Sequence, residues 1–321
     1  MNQDKLEQIY QSIKEYKKII IFPHARPDGD CIGTSFGLKD IILTTWPEKE
    51  VHVAGESSVF TKFIGVPEEL EDDQFEGALG ILVDTSNSDR IADQRFTKCD
   101  KTIKIDHHIP VQDFGDIDYV DTSRPAAALI ILDLFIMKQD EMKMTKEGAK
   151  ALFTGILTDT GRFKYDGVNG VTFRNVAVLY DNGLEAKDVY TYLDTRTEEL
   201  TRFKGYMLQH YNKTENGVVY FKIQPEYLEE FNVTLEEASS LVNELGHFED
   251  YPIWLLFAEY EEKIVRARMR SKGPALNELA GRFDGGGHKL ACGANLGTWE
   301  RADELVIESD KLAKEYKESM N

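Results

Sequence analysis

Short apolar runs alternate with amphipathic stretches through the first half of the chain, and the two patterns have different periods. Runs of apolar and β-branched residues predict four strands, at residues 17–22, 51–55, 78–83 and 101–105. Apolar residues at helical spacing predict helices at residues 31–45, 126–138, 145–157, 172–182 and 185–195. Strands that alternate with helices in this way predict an α/β fold, with a mostly parallel sheet covered by helices.

The pattern changes near residue 196. A polar stretch at 196–212 has helical spacing, and three apolar segments typical of strands follow it: GVVYFKIQ, YPIWLLFAEY and KIVRARMRS. We therefore expect a first domain over residues 1–195, a connecting helix over 196–212, and a second, smaller domain over 213–321 with its own sheet.

The chain is acidic, with 38 Lys and Arg against 57 Asp and Glu and a formal net charge of −19. A surface of this charge repels a phosphate backbone at long range, which argues against tight, non-specific binding of long duplexes. A short phosphate-bearing substrate, held by a local basic patch, remains compatible with this charge.

Three features of the chain indicate a cytoplasmic protein. Three widely spaced cysteines without a C-x-x-C pair are typical of reduced thiols. The N-terminus has helical spacing rather than the apolar core of a signal peptide. The most apolar helix candidate, AAALIILDLFIM, is interrupted by Asp133 and is shorter than a membrane span. We expect a cytoplasmic protein with no membrane partner.

Acidic and histidine side chains follow three of the predicted strands, at the point where each strand ends. They are His24, Asp28 and Asp30 after residues 17–22, Asp84 after 78–83, and Asp106, His107 and His108 after 101–105. Asp159 stands at the end of an apolar helix, before a Thr-Gly pair. Because loops converge beyond the carboxyl ends of parallel strands, we expect one site at this edge of the sheet.

Each of these features alone has an ordinary structural explanation, as a turn, a surface histidine or a helix cap. Their joint position at one edge favours a metal site instead. Mixed carboxylate and imidazole ligands suit Mn²⁺ or a similar cation better than the thiolate ligands of structural zinc. The four carboxylates of Asp28, Asp30, Asp84 and Asp159 carry the charge that two divalent cations would balance.

Five motifs stand in order along the chain. They are H-A-R-P-D-G-D at 24–30, V-D-T-S-N-S-D-R at 83–90, I-D-H-H at 105–108, G-I-L-T-D-T-G-R-F at 155–163 and G-G-G-H at 285–288. Their order and spacing resemble the DHH phosphoesterase superfamily and, within it, the NrnA type. The resemblance covers nearly the whole chain. It implies a DHH domain with a parallel sheet, a helical linker, and a smaller α/β DHH-associated domain that binds substrate.

The resemblance also implies two bound Mn²⁺ ions, with Mg²⁺ or Co²⁺ as substitutes. By position it assigns six metal ligands: His24 and Asp28 for one ion, Asp30, His107 and Asp159 for the other, and Asp84 between them. Asp106 would orient a ligating imidazole, and His108 would contact the scissile phosphate. We therefore expect Asp84, Asp106 and His108 to be the catalytic residues of a two-metal hydrolysis.

The last predicted strand, KIVRARMRS, alternates basic and apolar residues, which places Arg266, Arg268 and Arg270 on one face. A solvated strand face would explain this alternation. However, three successive glycines before His288 would allow backbone N–H groups to converge on an anion. We expect a substrate clamp here, with Arg270, Ser271, Gly285, Gly286, Gly287 and His288 implied by the resemblance and Arg268 added from the strand pattern.

These expectations lead to a Mn²⁺-dependent phosphoesterase that degrades very short single-stranded RNA to mononucleotides and converts adenosine 3′,5′-bisphosphate to AMP. An enzyme acting mainly on linear or cyclic signalling dinucleotides is the alternative, and a non-catalytic nucleotide- or RNA-binding module is a third hypothesis. One departure from the resemblance lies at Ala126 to Leu129, which lack the polar groups that relatives carry. The sequence leaves the oligomeric state open, including a homodimer.

Overall fold

Five parallel strands form the sheet of the N-terminal unit in the computed structural model, which describes residues 2–260 and 263–320. The strands are β1 (Lys18–Phe22), β2 (Glu50–Val53), β3 (Leu79–Val83), β4 (Lys101–Asp106) and β5 (Ile117–Val120). Their order in the sheet is β2-β1-β3-β4-β5, so β1, β3 and β4 are its three central strands. All five residues of β3 are buried, as expected for a parallel sheet that is covered on both faces.

Seven helices accompany this sheet in the described part of the unit. They are α1 (Gln3–Glu15), α2 (Gly29–Thr45), α3 (Thr61–Ile64), α4 (Ala127–Met137), α5 (Lys146–Asp159), α6 (Gly170–Asp181) and α7 (Ala186–Asp194). Apolar residues of α1, α2 and α4 to α7 share one core with Ile19 and Ile21 of β1. The alternate residues Ile20 and Phe22 pack instead against Phe75 and other residues of the segments that join β2 to β4.

Helices α2 and α5 approach each other closely because glycines line their contact. A Cβ atom at Gly33 would lie 2.8 Å from the backbone nitrogen of Gly155 and closer still to the carbonyl oxygen of Ala151. Near the start of α2, a Cβ at Gly29 would lie 2.5 Å from the side chain of Thr158. The N-terminus of α2 therefore meets the C-terminus of α5, which brings Asp30 and Asp159 to the same end of the helix pair.

A second sheet forms the C-terminal unit and is mostly antiparallel. Its strands are β6 (Asn212–Lys213), β7 (Val218–Ile223), β8 (Ile253–Glu259), β9 (Val265–Ser271), β10 (Gly285–His288) and β11 (Ala291–Gly297), in the order β10-β11-β9-β8-β7-β6. Only the β7–β8 pair is parallel. The helices of this unit are α8 (Glu198–Gln209), α9 (Pro225–Phe231), α10 (Leu235–Ser240), α11 (Asn277–Gly281) and α12 (Trp299–Ser319).

The two faces of this sheet have separate apolar cores. One core contains Met269 of β9 and Leu279 and Leu305 of α11 and α12. The other contains Phe203 of α8 and Leu256 of β8, so the predicted connecting helix packs within the second unit. The chain divides into two compact units, up to Asp194 and from Thr195 on. The metal-binding role expected for the first domain and the substrate-binding role expected for the second remain predictions.

The predicted fold class is confirmed, and most predicted elements lie within a few residues of the observed ones. The pattern missed β5, the short helices between β7 and β8, and the final hairpin and helix. Strands β10 and β11 were missed because GGGH and ACGANLG are rich in glycine, which is rare in strands. No helix within residues 2–260 and 263–320 combines the length and apolarity that a bilayer span requires.

The glycine contact between α2 and α5 leads to a first prediction. Gly33→Ala should lower the free energy of unfolding by about 1–3 kcal/mol, because the new Cβ meets backbone atoms that cannot move without separating the helices. Gly205→Ala in α8 is the matched control, since a Cβ there would meet no heavy atom within 4 Å and should stabilise the helix by up to about 1 kcal/mol. Urea denaturation followed by circular dichroism measures both. Equal stability of Gly33→Ala and wild type would contradict the close contact.

Candidate metal centre

Three neighbouring strands deliver polar side chains to one edge of the N-terminal sheet. His24 lies just beyond β1, Asp84 directly follows β3, and Asp106 ends β4. Because β3 lies between β1 and β4 in the sheet, Asp84 is central to the group. The edge predicted from the sequence is therefore where these side chains meet.

Asp84 is buried, with 2% of its surface exposed, and its backbone is left-handed with a φ of 59°. This conformation is costly for a non-glycine residue and is found mainly where the surrounding structure enforces it. Its amide still donates to the carbonyl of Ile105 at 2.9 Å. Asp84 Oδ2 lies 3.7 Å from His24 Nε2, and Oδ1 lies 3.3 Å from His107 Nε2. The carboxylate thus faces both imidazoles.

Backbone carbonyl groups orient these two imidazoles. Nδ1 of His24 lies 2.9 Å from the carbonyl oxygen of Ala25, and Nδ1 of His107 lies 3.2 Å from that of Arg124. An Nδ1–H on each ring donates to its carbonyl and leaves Nε2 directed at Asp84. Hydrogen bonds of this kind fix the tautomer of metal-binding histidines.

Helices α2 and α5 contribute two further carboxylates. Asp30 is fully buried, and its oxygens accept the backbone N–H groups of Ala127 at 2.5 Å and Ala128 at 3.0 Å, at the start of α4. His107 Nε2 lies 3.2 Å from Asp159 Oδ2 and 3.9 Å from Asp30 Oδ2. One imidazole therefore contacts carboxylates from a strand end and from two helix ends.

Asp28 has a different position from the other acids, because it caps α2. Its Oδ1 accepts the backbone N–H groups of Asp30 and Cys31, both at 3.0 Å. Its Oδ2 lies 3.9 Å from His24 Nε2, while 57% of its side chain is exposed. The structure thus brings all six predicted metal-ligand side chains to one cluster, with Asp28 on its solvent side.

The crowded carboxylates and imidazoles perturb one another's ionisation. Burial and then the charge of Asp84 raise the pKa of Asp30 to about 7. Burial opposes protonation of His107, but the neighbouring Asp84 carboxylate outweighs it and raises the pKa of that ring to about 10. Burial alone would raise the pKa of Asp84, whereas contact with His107 and His24 lowers it. Without a metal, bound protons reduce the repulsion among these carboxylates.

The cluster fits divalent cations. Asp84 Oδ1 and His107 Nε2 are buried and have no hydrogen-bond partner among the described residues, which is costly unless another group binds them. Two ligands of one metal, each about 2.0–2.2 Å from it, lie about 3–3.5 Å apart, and the contacts of 3.2 and 3.3 Å match this separation. Oxygen and imidazole donors suit cations such as Mn²⁺. Asp84 and His107 belong to one group of three possible ligands, and each of them also belongs to a neighbouring group.

A buried lysine supports the same edge and was not singled out by the sequence. Lys104 of β4 is fully buried, and its Nζ donates to the carbonyl of Gln112 at 2.9 Å and lies 3.4 Å from that of Ser86. The same Nζ lies 3.8 Å from Asp106 Oδ2, and Asp106 Oδ1 lies 2.8 Å from His108 Nδ1. Lys104 therefore ties the two loops that carry the site to the carboxylate behind His108.

Two other residues near the cluster were also missed. Cys31 is buried beside His24, whose backbone N–H lies 3.2 Å from the sulfur, and burial followed by the charge of Asp84 raises the thiol pKa well above its usual range. Arg124 contacts Asp133 at 2.5 Å, and Asp133 also accepts from Asn175 at 2.8 Å. This network holds the carbonyl that orients His107.

The predicted clamp residues lie in the C-terminal unit, and the structure separates them into two groups. Along β9, burial alternates so that Arg266, Arg268 and Arg270 are partly exposed while the residues between them are buried. Ser271 therefore lies on the opposite face from Arg270, and its hydroxyl donates to the carbonyl of Pro274 at 2.6 Å. This position ties Ser271 to a loop rather than to the arginine face.

The glycine motif forms a strand, β10. Gly285 to His288 pair antiparallel with β11, with Gly286 opposite Gly293 and His288 opposite Ala291. Gly287 has a φ of 138°, a backbone conformation that residues with a side chain rarely adopt, and the role of the motif in anion binding stays a prediction. Gly286 and His288 are exposed and share the sheet face of Arg268 and Arg270.

The sequence matches two domain families. Residues 18–156 match the DHH family, N-terminal domain, and residues 215–315 match the DHHA1 domain. A Bacillus subtilis (strain 168) protein named bifunctional oligoribonuclease and PAP phosphatase NrnA is 34% identical over 310 residues, 96% of this chain and 99% of that protein. A Streptococcus mutans protein named probable bifunctional oligoribonuclease and PAP phosphatase NrnA is 34% identical over 306 residues, 95% of this chain and 98% of that protein.

A solved structure supports the fold independently. The crystal structure of an exopolyphosphatase-related protein from Bacteroides fragilis has a TM-score of 0.87 at 24% identity and covers 97% of this chain and 98% of that one. These matches confirm the resemblance that the motifs predicted. Because both domain families match in order and two relatives align over nearly the whole chain, this chain belongs to the DHH family, with an N-terminal DHH domain followed by a DHHA1 domain.

Proposed function

We propose that this chain is a metal-dependent phosphoesterase that hydrolyses very short single-stranded RNA and removes the 3′-phosphate of adenosine 3′,5′-bisphosphate. The observation that carries the proposal is the buried Asp84–His107 contact, in which two polar atoms face each other without a hydrogen bond. The names of relatives that align with 95% or more of the chain supply the substrate class.

The metal-binding residues follow from the contacts in the cluster. We assign one cation to His24, Asp28 and Asp84, and a second to the group of Asp30, His107 and Asp159, with Asp84 contributing to both. DHH phosphoesterases are metal-dependent, and Mn²⁺ is the cation we propose because it accepts mixed oxygen and imidazole ligands. Two bound cations would supply a water nucleophile at neutral pH and neutralise charge on the phosphoryl group.

The protein's own groups have separate tasks in this proposal. His108 is 26% exposed at its side chain and has its Nδ1 fixed by Asp106, so Nε2 is the atom that faces solvent and substrate. There it donates to a phosphate oxygen or protonates the leaving oxygen. Asp106 sets the tautomer of His108, and Lys104 keeps Asp106 in place from beneath the sheet edge.

The C-terminal unit supplies phosphate-binding groups in a chain that is otherwise acidic. Arg270 and His288 share a sheet face on either side of Ala291, and we assign both to the binding of a terminal phosphate. The net charge of −19 disfavours long nucleic acids, because phosphates beyond the basic face meet an acidic surface. A short substrate is therefore attracted by the basic face and has too few phosphates to be repelled by the acidic surface.

One time course tests this function. Purified protein with Mn²⁺, Mg²⁺ or EDTA should release mononucleotides from 5′-phosphorylated RNA of two to five nucleotides, and AMP from adenosine 3′,5′-bisphosphate, with Mn²⁺ but not with EDTA. Asp84→Asn is the control for the metal cluster and should lose at least about 10³-fold in rate, or about 4 kcal/mol in barrier height, on both substrates. Turnover of cyclic or linear signalling dinucleotides alone would move the function to that alternative. Retained activity in Asp84→Asn would overturn the metal assignment.

Metal affinity should rise with pH. In the metal-free protein His107, whose pKa is raised to about 10, still carries a proton at pH 8, and Mn²⁺ must displace it. Each displaced proton changes the association constant about tenfold per pH unit. Below pH 7, Asp30, whose pKa is raised to about 7, also carries a proton that the metal must displace, and this steepens the dependence. Titration calorimetry of Mn²⁺ in buffers of different ionisation enthalpy counts these protons. An affinity that is constant from pH 6 to 8.5 would contradict this protonation state.

Lys104→Met should reduce kcat by about 10–100-fold with little change in metal content, because it removes the charge that positions Asp106 behind His108. Loss of its hydrogen bonds should also cost about 1–3 kcal/mol of stability. The matched comparison is His108→Ala alone and combined with Lys104→Met. If Lys104 acts through His108, the double variant should be little slower than His108→Ala. Multiplicative losses in kcat would show instead that Lys104 acts elsewhere.

A further inference from the structure

The segment that joins β5 to α4 contacts two of the ligands that we assign to the second cation. The carbonyl oxygen of Arg124 lies 3.2 Å from Nδ1 of His107 and orients that ring. Three residues later α4 begins, and its first two backbone N–H groups, those of Ala127 and Ala128, donate to the carboxylate of Asp30. The positions of both ligands therefore depend on how firmly this segment is held.

The side chains at the start of α4 are apolar and cannot form hydrogen bonds with Asp30. Residues 126–129 are three alanines and a leucine, and Ala126 is the N-cap residue of α4. An alanine at the N-cap cannot accept the first N–H groups of a helix, and the Asp30 carboxylate takes over this task from α2. The orientation of Asp30 therefore depends on the position of the α4 backbone.

One ion pair fixes this segment to α4. Nε of Arg124 donates to Oδ2 of Asp133 at 2.5 Å, and Oδ1 of Asp133 accepts Nδ2 of Asn175 in α6 at 2.8 Å. Asp133 is the one charged residue of α4, which is buried from Ala127 to Phe135.

The burial of this ion pair indicates a role other than stability. The side chain of Arg124 is 14% exposed and that of Asp133 is 6% exposed. An ion pair in such a position often stabilises a fold less than apolar side chains of similar volume, because both charges lose their hydration. What the pair does supply is a fixed geometry between the segment and the helix.

The ligands of the first cation have separate supports. The carbonyl of Ala25 orients His24, and the backbone N–H groups at the start of α2 hold Asp28. These contacts do not involve Arg124 or Asp133. A change in the ion pair should therefore affect one cation and spare the other.

We propose that the Arg124–Asp133 pair positions the ligands of the second cation and not those of the first. The inference rests on the proposed function, from which it takes the assignment of two cations, and it deepens that assignment by giving the two metal sites different supports. Both residues are positioning residues, because they act through the Arg124 carbonyl and the start of α4. Loss of a support of this kind lowers metal affinity about 10–100-fold.

Titration of the full chain with Mn²⁺ after removal of metal by EDTA provides the test, with free Mn²⁺ measured by its EPR signal. Wild type should bind two ions per chain. Asp133→Asn, which keeps the shape of the side chain, should bind one ion as wild type does and the other about 10–100-fold more weakly. The double variant Arg124→Met/Asp133→Leu should show the same selective loss. It should also keep its fold, because apolar side chains often replace a buried ion pair without loss of stability.

The dependence of hydrolysis on Mn²⁺ concentration separates positioning from a general loss of structure. In Asp133→Asn, the Mn²⁺ concentration that gives half-maximal activity should rise about 10–100-fold. At saturating Mn²⁺, kcat and the KM for adenosine 3′,5′-bisphosphate should return to wild-type values, because excess metal restores the occupied site. A kcat that stays low at every Mn²⁺ concentration would contradict a role in metal positioning.

Glu244→Gln is the matched control. Glu244 is 13% exposed and pairs with Arg196 and Lys204, both at 2.7 Å, so this change removes a carboxylate of similar burial from the C-terminal unit. Both ions should bind to Glu244→Gln as they bind to wild type. Equal affinities of wild type and the double variant for both ions would overturn the inference, and so would an equal loss of both ions.

The titration and the hydrolysis assay together distinguish failure of this inference from failure of the proposed function. If one of two bound ions depends on the pair but neither substrate is hydrolysed, the positioning role is supported and the catalytic function is rejected. If wild type hydrolyses both substrates and every variant binds both ions equally well, the positioning role alone is rejected. Wild type that binds fewer than two ions would overturn both.

Discussion

Mutual repulsion among buried carboxylates is the constraint on which the N-terminal unit depends. The buried Asp30, Asp84 and Asp106 and the partly exposed Asp159 meet at one sheet edge, and a pair of like charges about 4 Å apart costs about 4 kcal/mol at an effective dielectric of 20. Three groups offset this repulsion in the metal-free protein: the imidazoles, the Lys104 ammonium, and the backbone N–H groups that Asp30 accepts. These groups lie on β4 and α4 or directly after β1 and β4.

The helices around the sheet serve this arrangement through their spacing. Glycines at the α2–α5 contact allow two helix ends to lie close enough for Asp30 and Asp159 to approach the same imidazole. The start of α4 adds donors to Asp30, so three helices and three strands fix one group of side chains. These elements hold the side chains in place before any ligand binds, and such preorganisation favours catalysis.

The sequence predicted that these acidic and histidine side chains would lie together, because that prediction depends only on the topology of the sheet. Residues that follow parallel strands meet at one edge, so the positions of His24, Asp84 and His107 followed from strand ends alone. Lys104 could not be found in this way, since a lysine in an alternating strand reads as a solvent-facing position and its burial depends on tertiary packing. One signal was present in the sequence: Lys104 stands two residues before Asp106, so in a strand both side chains point to the same face.

In the C-terminal unit, the local sequence pattern was a poorer guide to the structure. The alternation along β9 places Arg266, Arg268 and Arg270 on one face of the sheet. The same alternation places Ser271 on the opposite face, so the predicted Arg270–Ser271 pair could not share a face. The pairing of the glycine motif with β11 was not predicted, because both segments are rich in glycine, which is rare in strands. Pairing across the sheet, which no local pattern encodes, decided its conformation.

The burial of Lys104 also makes it an internal reporter of motion. A primary amine with no exposed surface cannot react with acylating reagents unless the loops above it open. Since its ammonium contacts the carbonyls of Ser86 and Gln112, that opening requires both loops of the cluster to detach. The acylation rate of this one amine, read by mass spectrometry against surface lysines, therefore measures the free energy of local unfolding at this edge of the sheet.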